Sequence, residues 1–316
     1  MKGYNRKDMI IGYSIIILAV FTFSCSEIIV KLLQNSVGTL TLSFYRFFFS
    51  GIFLLFVLIL MGDLKGIFFM IKKHWGLLIL GSSIAWGLSN VIYFIGIENT
   101  LANMGATIYT TYPIWITIYS FFILNEKSNL KLKLVGIAIG LSGVFILMTD
   151  LDFSGLLKVE HLFGNSLVLL GSIMWGFYSV LGKKIQIKES DTPNIALKFT
   201  MVSSFFAAFP VFLILILSPE IEFIFVHISI DWVLILFLGF ISTGLGLFLL
   251  FLGLKRTEVS KGMSLAFLKP IFATILALFL LNENPTLSLL ISIFLVVVSI
   301  VLINKKGNNL KKNLAD

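Results

Sequence analysis

Groups that could bind a metal or form a disulfide are scarce in this chain. The single cysteine, Cys25, excludes an internal disulfide bond and a metal site built from cysteines. The three histidines lie between apolar stretches, so we expect no histidine proton relay inside a membrane. A glycine-rich phosphate loop of the P-loop type is also missing, so we do not expect ATP to drive the protein directly. These absences predict a protein that uses neither a metal nor a cofactor.

Charged residues are also few. They make up 13% of the 316 residues, whereas 58% are hydrophobic, and the mean hydropathy is +1.02. A soluble domain of this length does not have such a composition, so we expect the chain to lie in a lipid bilayer. The formal net charge of +8 could suggest nucleic acid as a partner. The basic residues sit in short loops and form no single basic face, so we expect no nucleic acid.

Ten apolar stretches are long enough to cross a bilayer as helices. In chain order they are Met9–Leu32, Thr39–Met61, Trp75–Ile95, Ala102–Leu124, Leu132–Met148, Gly164–Leu181, Asn194–Leu217, Trp232–Leu252, Val259–Leu281 and Leu287–Ile303. We call them the first to the tenth span. The sequence therefore predicts an all-α integral membrane protein with ten transmembrane helices.

Lysine and arginine are distributed unequally between the two sides of these predicted helices. The two tails and every second loop hold 19 of these residues, while the other five loops hold only Lys158. Positive residues concentrate in cytoplasmic loops, so this split predicts an even number of spans with both termini in the cytoplasm. We expect a multi-pass protein of the cell membrane, that is, the inner or plasma membrane.

One sequence pattern occurs twice in the chain. With a shift of 157 positions, Gly96–Glu126 falls on Gly253–Glu283, and Pro113 falls on Pro270. Pairs earlier in the chain align at a shift of 152, namely Lys31 with Lys183, Arg46 with Lys198 and Phe47 with Phe199. Five spans is an odd number, so two such copies cross the membrane in opposite senses. We expect two inverted five-helix repeats, residues 1–149 and residues 150–316.

The two matched prolines, Pro113 and Pro270, lie near the middle of the fourth and ninth spans. A proline inside a helix removes one backbone hydrogen bond and clashes with the preceding turn. In lipid, the carbonyl that is freed needs a partner within the protein or at a water-filled cavity. One such proline is usually tolerated without a role in a site. A matched pair favours two broken helices that meet at a binding site between the halves.

Charges inside membrane helices are costly and mark candidate sites. Lys269 directly precedes the second proline, near the middle of the bilayer, and the position that matches it is Tyr112. It could bind an anionic group of a substrate, or it could pair with Glu27 or with freed carbonyls. Glu27 could take up a proton or bind a substrate amine, or it could reach the outer surface. For Arg46 and Lys198 the sequence favours a structural role at helix ends.

Aromatic residues follow one face of the third span and recur in two other spans. Such a stripe is more often packing than a site, but the inclusion of Asn90 favours a polar cavity. In the eighth span, the positions that match Trp86, Asn90 and Tyr93 are Thr243, Leu247 and Leu250. We therefore expect a cavity that is aromatic and polar only towards the first half. The predicted substrate-binding residues are Glu27, Trp86, Asn90, Tyr93, Tyr109, Tyr112, Trp175, Tyr178 and Lys269. Such a cavity suits a small amphipathic solute, including a zwitterion.

The ordered set of features resembles the EamA-type transporters of the drug/metabolite transporter superfamily. The residues that carry the resemblance are Trp175-Gly176, Tyr45-Arg46-Phe47, the Pro113 and Pro270 spans, Asn125-Glu126, Asn282-Glu283 and Gly136-x-x-x-Gly140-x-x-Gly143. Two features depart from it: Phe23-Ser24 stands where the family often has Trp-Gly, and the tenth span lacks the glycines of the fifth. The glycines of the fifth span favour close packing within the chain over a dimer face.

The resemblance implies a carrier of small metabolites, often amino acids, their derivatives or sugars, and often an exporter. It also implies a central cavity lined by spans one to four and six to nine, with the fifth and tenth at the periphery. We expect a secondary transporter, not an enzyme, that works by alternating access and is coupled to protons or to solute exchange. The alternatives are a carrier of sugars or nucleotide-type metabolites, an intramembrane enzyme, and a channel. The sequence leaves a monomer and a homodimer open.

Overall fold

A computed structural model of the chain describes residues 6–33, 36–149, 159–223, 229–280 and 287–305. Helices make up nearly all of these residues, which include no strand. Nine helical stretches in the described part are long and apolar enough to cross a membrane. The predicted all-α membrane fold is confirmed, with two inverted five-helix repeats.

The helices of the first half form five membrane-crossing segments. They are α1 (Arg6–Leu33), α2 (Thr39–Leu60), α3 (Ile67–Leu78), α4 (Ser89–Glu98), α5 (Ala102–Tyr109), α6 (Tyr112–Ile123) and α7 (Leu130–Thr149). A π-helical segment, Ile79–Leu88, joins α3 to α4 into one span of 32 residues. The predicted fourth span is divided between α5 and α6, so neither piece crosses a bilayer alone.

The second half repeats this arrangement. Its helices are α8 (Val159–Lys188), α9 (Ile195–Ile216), α10 (Ser229–Phe237), α11 (Gly246–Leu254), α12 (Val259–Met263), α13 (Leu268–Leu280) and α14 (Leu287–Asn304). A π-helical segment, Leu238–Leu245, joins α10 to α11, and a 3₁₀ turn, Ser264–Phe267, joins α12 to α13. A second 3₁₀ turn, Pro219–Phe223, follows α9. The third and sixth spans are longer than predicted because both helices continue past the apolar stretch into charged turns.

The helix contacts between the two halves occur in equivalent pairs. Helix α1 packs on α11 and α13, and its counterpart α8 packs on α4 and α6. Helix α2 packs on α9, and α7 packs on α14. Each of these two last pairs joins a helix to its own counterpart. The pseudo-two-fold axis that relates inverted repeats therefore passes between α2 and α9 and between α7 and α14.

Two serine hydroxyls meet where α2 crosses α9. The hydroxyls of Ser50 and Ser204, 154 positions apart, lie 2.8 Å from each other in the buried interior. The next residues along each helix also meet, since a Cβ built on Gly51 would lie 2.8 Å from the ring of Phe205. Both contacts place the middle of α2 against the middle of α9.

The expected alignment of Arg46 with Lys198, at a shift of 152, is wrong, because α2 (Thr39–Leu60) and α9 (Ile195–Ile216) align at a shift of 156. Lys198 Nζ lies 2.6 Å from Asp63 Oδ1 and 2.9 Å from the Lys65 carbonyl, in the loop that follows α2. Arg46 instead lies inside the bundle, with Nε 3.3 Å from the hydroxyl of Thr243. A difference of four residues is about one turn along the helix, which explains why the two cations do not occupy equivalent places.

Matched glycines bring helix backbones together across the two halves. A Cβ on Gly253 would lie 2.8 Å from the carbonyl oxygen of Gly12, where α11 crosses α1. A Cβ on Gly96 would lie 3.0 Å from the carbonyl oxygen of Gly164, where α4 crosses α8. Small residues at membrane helix crossings allow this close approach, and here each pair repeats the other.

The glycines of the fifth span pack inside the chain. Along α7, a Cβ on Gly136 would lie 3.0 Å from the carbonyl oxygen of Ser299, and a Cβ on Gly143 would lie 3.2 Å from that of Ser292. The expectation of close packing within the chain is thus confirmed. Helix α14 supplies buried serines at this crossing, so it needs no matching glycines.

Candidate functional site

The fourth and ninth spans are broken at the same level. In the first half, α5 ends at Tyr109 and α6 begins at Tyr112, just before Pro113. In the second half, the 3₁₀ turn Ser264–Phe267 precedes α13, which carries Pro270 near its start. The predicted disruption near both prolines is confirmed. Broken helices at matching positions are the places where repeat-built transporters form their binding sites.

The third and eighth spans share a second irregularity. Their π-helical segments, Ile79–Leu88 and Leu238–Leu245, occupy corresponding parts of the two halves. Each turn of a π-helix holds an extra residue, which rotates the following face of the helix, and such segments occur mostly at functional sites. The sequence analysis missed both segments, because apolar residues all around a helix give no periodic signal.

A cavity of about 430 Å³ lies between the halves, beside both helix breaks. Its size fits a small organic solute. The side chains that the first half contributes include Arg46, Trp86, Asn90, Tyr93, Tyr109 and Tyr112. Those of the second half include Trp175, Thr243, Leu247, Leu250, Met263 and Lys269. The lining is therefore richer in aromatic and polar groups on the side of the first half.

Aromatic rings form a continuous wall on one side of the cavity. The ring centroids of Tyr93 and Tyr109 are 4.5 Å apart, and those of Tyr109 and Tyr112 are 5.9 Å apart. Trp86 and Trp175 extend the wall, with their centroids separated by 6.5 Å. These edge-to-face and tilted contacts fix the rings and leave apolar faces for a ligand.

Two cationic side chains from different halves also line the cavity. Lys269 comes from the broken ninth span, and Arg46 comes from α2. The contact of Arg46 Nε with the Thr243 hydroxyl, at 3.3 Å, links the first half to the π-helical segment of the second. The sequence analysis gave Arg46 a structural role, although its charge inside a membrane helix was a signal for the site.

The profile of the EamA-like transporter family matches this chain twice, over residues 10–149 and residues 162–305. The chain belongs to the EamA-like transporter family. The two matches correspond to the two repeats seen in the fold. Each EamA repeat thus contributes one broken helix and one π-helical segment to the cavity.

Relatives of this EamA family member are themselves named only as transporters. An uncharacterized transporter of Clostridium kluyveri is 26% identical over 316 residues, which cover 95% of this chain and 96% of the relative. The uncharacterized transporter YyaM of Bacillus subtilis is 25% identical over 277 residues, covering 88% and 86%. A crystal structure of a protein with 17% sequence identity has a TM-score of 0.76 and covers 98% of both chains. That likeness concerns the fold alone.

Most residues predicted to bind substrate lie around the EamA cavity, although their role stays a prediction. Those that line it are Trp86, Asn90, Tyr93, Tyr109, Tyr112, Trp175 and Lys269. Tyr178 lies behind the wall, buried and stacked on Trp86 at 4.9 Å, so it supports the site without lining it. Pro270 lines the cavity and Pro113 does not. The side chain of Glu27 lies outside what the structure describes, while its neighbour Ser26 lines the cavity.

The Asn-Glu pair at the end of the fourth span joins that span to the ninth. Asn125 has a left-handed backbone (φ 55°), which ends the helix. The carboxylate of Glu126 then accepts hydrogen bonds from the backbone N–H groups of Val259 and Ser260, at 2.7 and 3.2 Å. A carboxylate on these N–H groups stabilises the start of α12. The second pair, Asn282-Glu283, lies outside the described residues.

A second ionic contact strengthens the same end of the bundle. Buried Lys133, in α7, lies 2.8 Å from the carboxylate of Glu258, just before α12. Burial acts to raise the pKa of the Glu258 carboxyl, but the hydrogen bond and charge of Lys133 outweigh it, so that pKa lies below its ordinary value. This end of the EamA fold, which carries both termini, is therefore held closed by charged groups.

Two further acids hold the starts of the second and seventh spans. Glu220, which follows α9, accepts hydrogen bonds from the backbone N–H and the hydroxyl of Thr41, at 2.9 and 3.0 Å. Asp63, which follows α2, accepts hydrogen bonds from Lys198 and Asn194, at 2.6 and 2.9 Å. Lys198 first, and Asn194 second, hold the pKa of the Asp63 carboxyl below its usual range. The acid after each span thus fixes the start of the counterpart of that span.

Proposed function

We propose that the chain is a secondary transporter that exports a small amphipathic solute with a carboxylate group, such as an amino acid or a derivative. It acts across the cytoplasmic membrane by alternating access. The cavity between the halves supports this most directly, because it combines an aromatic wall with a cation at a broken helix. A solute with one apolar part and one anionic group matches both features.

Lys269 would bind the carboxylate of the solute. A charge-assisted hydrogen bond is strong where water is excluded, and Lys269 sits at the level of the helix break. The aromatic faces of Trp86 and Trp175 would enclose the apolar part, since π faces pack well on planar or branched hydrocarbon. Glu27 would bind an amine or carry the proton that couples transport, the other means of coupling being exchange of solutes.

The lining of the cavity comes nearer to one end of the bundle than to the other. It includes Val30 near the end of α1, Ile97 near the end of α4 and Ala106 near the start of α5, all at the end opposite to the termini. With the termini in the cytoplasm, as the charge distribution predicts, this state would face the outside. Alternating access would then exchange the conformations of the two halves and open the end that Glu126 now holds.

The solute is best identified by comparing metabolites in cells that lack the protein and cells that overproduce it. We expect one class of carboxylate to accumulate inside the cells that lack it. Flux of that solute in vesicles should saturate and should show counterflow, as in a carrier and unlike a channel. Normal flux in both Lys269→Met and Glu27→Gln would contradict the proposed binding mode.

The sidedness of the transporter can be tested separately. Reporter tags fused to each terminus should both report the cytoplasm, because the two tails and every second loop hold 19 basic residues against one in the other loops. Tags on opposite sides of the membrane would contradict the even number of spans. Tags that both report the outside would reverse the proposed direction of opening.

A further inference from the structure

Ser24 in α1 makes a hydrogen bond to the main chain of the broken ninth span. Its side chain is fully buried, and its hydroxyl oxygen lies 2.9 Å from the carbonyl oxygen of Lys269. The carbonyl of Val20, one turn earlier in α1, lies at the same distance. The hydroxyl has a single proton, so the two carbonyls share it. Ser24 therefore links α1 to the residue that carries the cavity cation.

The ninth span is interrupted just before Lys269. Pro270 has no N–H to donate to the carbonyl of Ala266 one turn earlier, and the residues before α13 form a 3₁₀ turn rather than an α-helix. The carbonyl of Lys269 lies in the first turn of α13, so the hydrogen bond from Ser24 is additional to those of the helix. The hydroxyl of Ser24 comes from a different span, so it can fix where Lys269 stands relative to α1.

The other half lacks this hydrogen bond. Gly176 in α8 faces the carbonyl of Tyr112, and a Cβ built on it would lie 3.4 Å from that oxygen. Glycine offers no hydroxyl, and Tyr112 is instead packed by its ring against Tyr109. The residue of α1 or α8 and the residue that it faces on the broken span thus both differ between the halves. Serine accompanies the cation, and glycine accompanies the aromatic ring.

We propose that Ser24 is a positioning residue for Lys269 and thereby determines how the transporter selects an anionic solute. The role in selection rests on the proposed function, whereas the positioning of Lys269 does not. Without the hydroxyl, the ninth span keeps its break and still packs on α1 but loses this hydrogen bond to it, so the ammonium group samples more positions in the cavity.

The positioning can be measured on the purified protein without a known solute. A small amine-reactive ester labels lysines, and peptide mass spectrometry gives the labelling rate of Lys269 relative to Lys261 in the same molecule. We expect Ser24→Ala to raise this ratio about threefold, which corresponds to the loss of one hydrogen bond between membrane helices.

Ser204→Ala is the matched control, because it also removes a buried hydroxyl that bonds to another helix, away from the cavity. We expect it to leave the labelling ratio unchanged. An equal rise in Ser204→Ala would overturn the proposal, since general loosening would then explain the effect, and so would an unchanged ratio in Ser24→Ala. If Ser24→Ala does not fold, Ser24→Gly, which copies Gly176, takes its place.

The selection of an anionic solute is tested by measuring how well a ligand protects Lys269 from labelling. L-Phenylalanine and L-phenylalaninamide share an amine and an aromatic ring, and only the first has a carboxylate. We expect stronger protection of Lys269 from labelling by the acid than by the amide, and a loss of that difference in Ser24→Ala. If the labelling ratio rises as expected but neither compound protects Lys269, the positioning role stands and the proposed anion contact fails.

Discussion

The two halves of this transporter share a framework but not a lining. Both contain a broken helix, a π-helical segment, and an acid that holds the start of a counterpart span. Each half also contributes one glycine to each of the two glycine crossings. At the cavity the halves differ, because Lys269 of the second half corresponds to Tyr112 of the first, and Leu247 corresponds to Asn90.

This difference separates the residues needed for movement from those needed for recognition. If alternating access exchanges the conformations of the halves, every part that moves must be present twice. A solute with two unlike ends requires two unlike walls. Matched mutations in the two halves can test this separation.

Replacing the cation of one half should affect transport far more than changing its counterpart. We expect Lys269→Met to reduce flux of the identified solute about tenfold or more, because a hydrogen bond to a charged group is worth about 1.5–3 kcal/mol. Tyr112→Phe removes only a hydroxyl and should change flux less than about threefold. Vesicle flux measures both, with Lys261→Met as the control for a cation outside the cavity. Equal losses in Lys269→Met and Tyr112→Phe would contradict the asymmetry.

Replacing a glycine by alanine should destabilise the protein about equally at the two glycine crossings. A Cβ on Gly164 would lie 2.7 Å from the carbonyl oxygen of Gly96, so Gly164→Ala must push α8 away from α4, at a cost of about 1–3 kcal/mol. Gly253→Ala should behave alike. Thermal unfolding in detergent measures the loss. Gly76→Ala is the control, because nothing lies within 4 Å of a Cβ there, and it should not lower the Tm. A harmless Gly164→Ala would disprove the close crossing.

Removing the carboxylate that closes one end of the bundle should destabilise it moderately. Glu126→Ala leaves the N–H groups of Val259 and Ser260 without their acceptor, which costs about 1 kcal/mol for a lost helix cap. For a protein of this size, the apparent Tm should fall by about 2–4 °C. Glu160→Ala, at an exposed carboxylate, should leave the Tm unchanged. A fall as large in Glu160→Ala would show that charge alone, and not the cap, is responsible.

The smallest expected effect is the pH dependence of the stability that the Asp63 carboxylate contributes. Its pKa is lowered in the folded protein, so the carboxylate contributes stability above its unfolded pKa of about 3.9. That contribution is lost as the pH falls through the lowered, folded pKa. The difference in Tm between the native protein and Asp63→Asn should therefore be constant near neutral pH and vanish in strong acid. A difference that grows with acidification would contradict the contact with Lys198.

The span count, the repeat and the two helix breaks could be predicted from the sequence because apolar length and proline have direct structural effects. Seven of the predicted site residues line the cavity for the same reason, since helical spacing placed them on common faces. Arg46 was aligned with Lys198 although the helix bounds differ from that alignment by four residues, and of the two cations only Arg46 lines the cavity in the described part of the chain. Tyr178 shares its span with Trp175 but lies behind the cavity, where only the packed structure could put it.

The hydroxyl pair of Ser50 and Ser204 has a consequence for the whole cycle. The pair lies where α2 crosses α9, and these two helices are counterparts, so an exchange of conformations between the repeats would map this crossing onto itself. The crossing would then be the same whether the solute enters or leaves, and the centre of α2 and α9 would be the fixed point about which the remaining helices rearrange. Distances measured from that point should be the ones that change least during turnover.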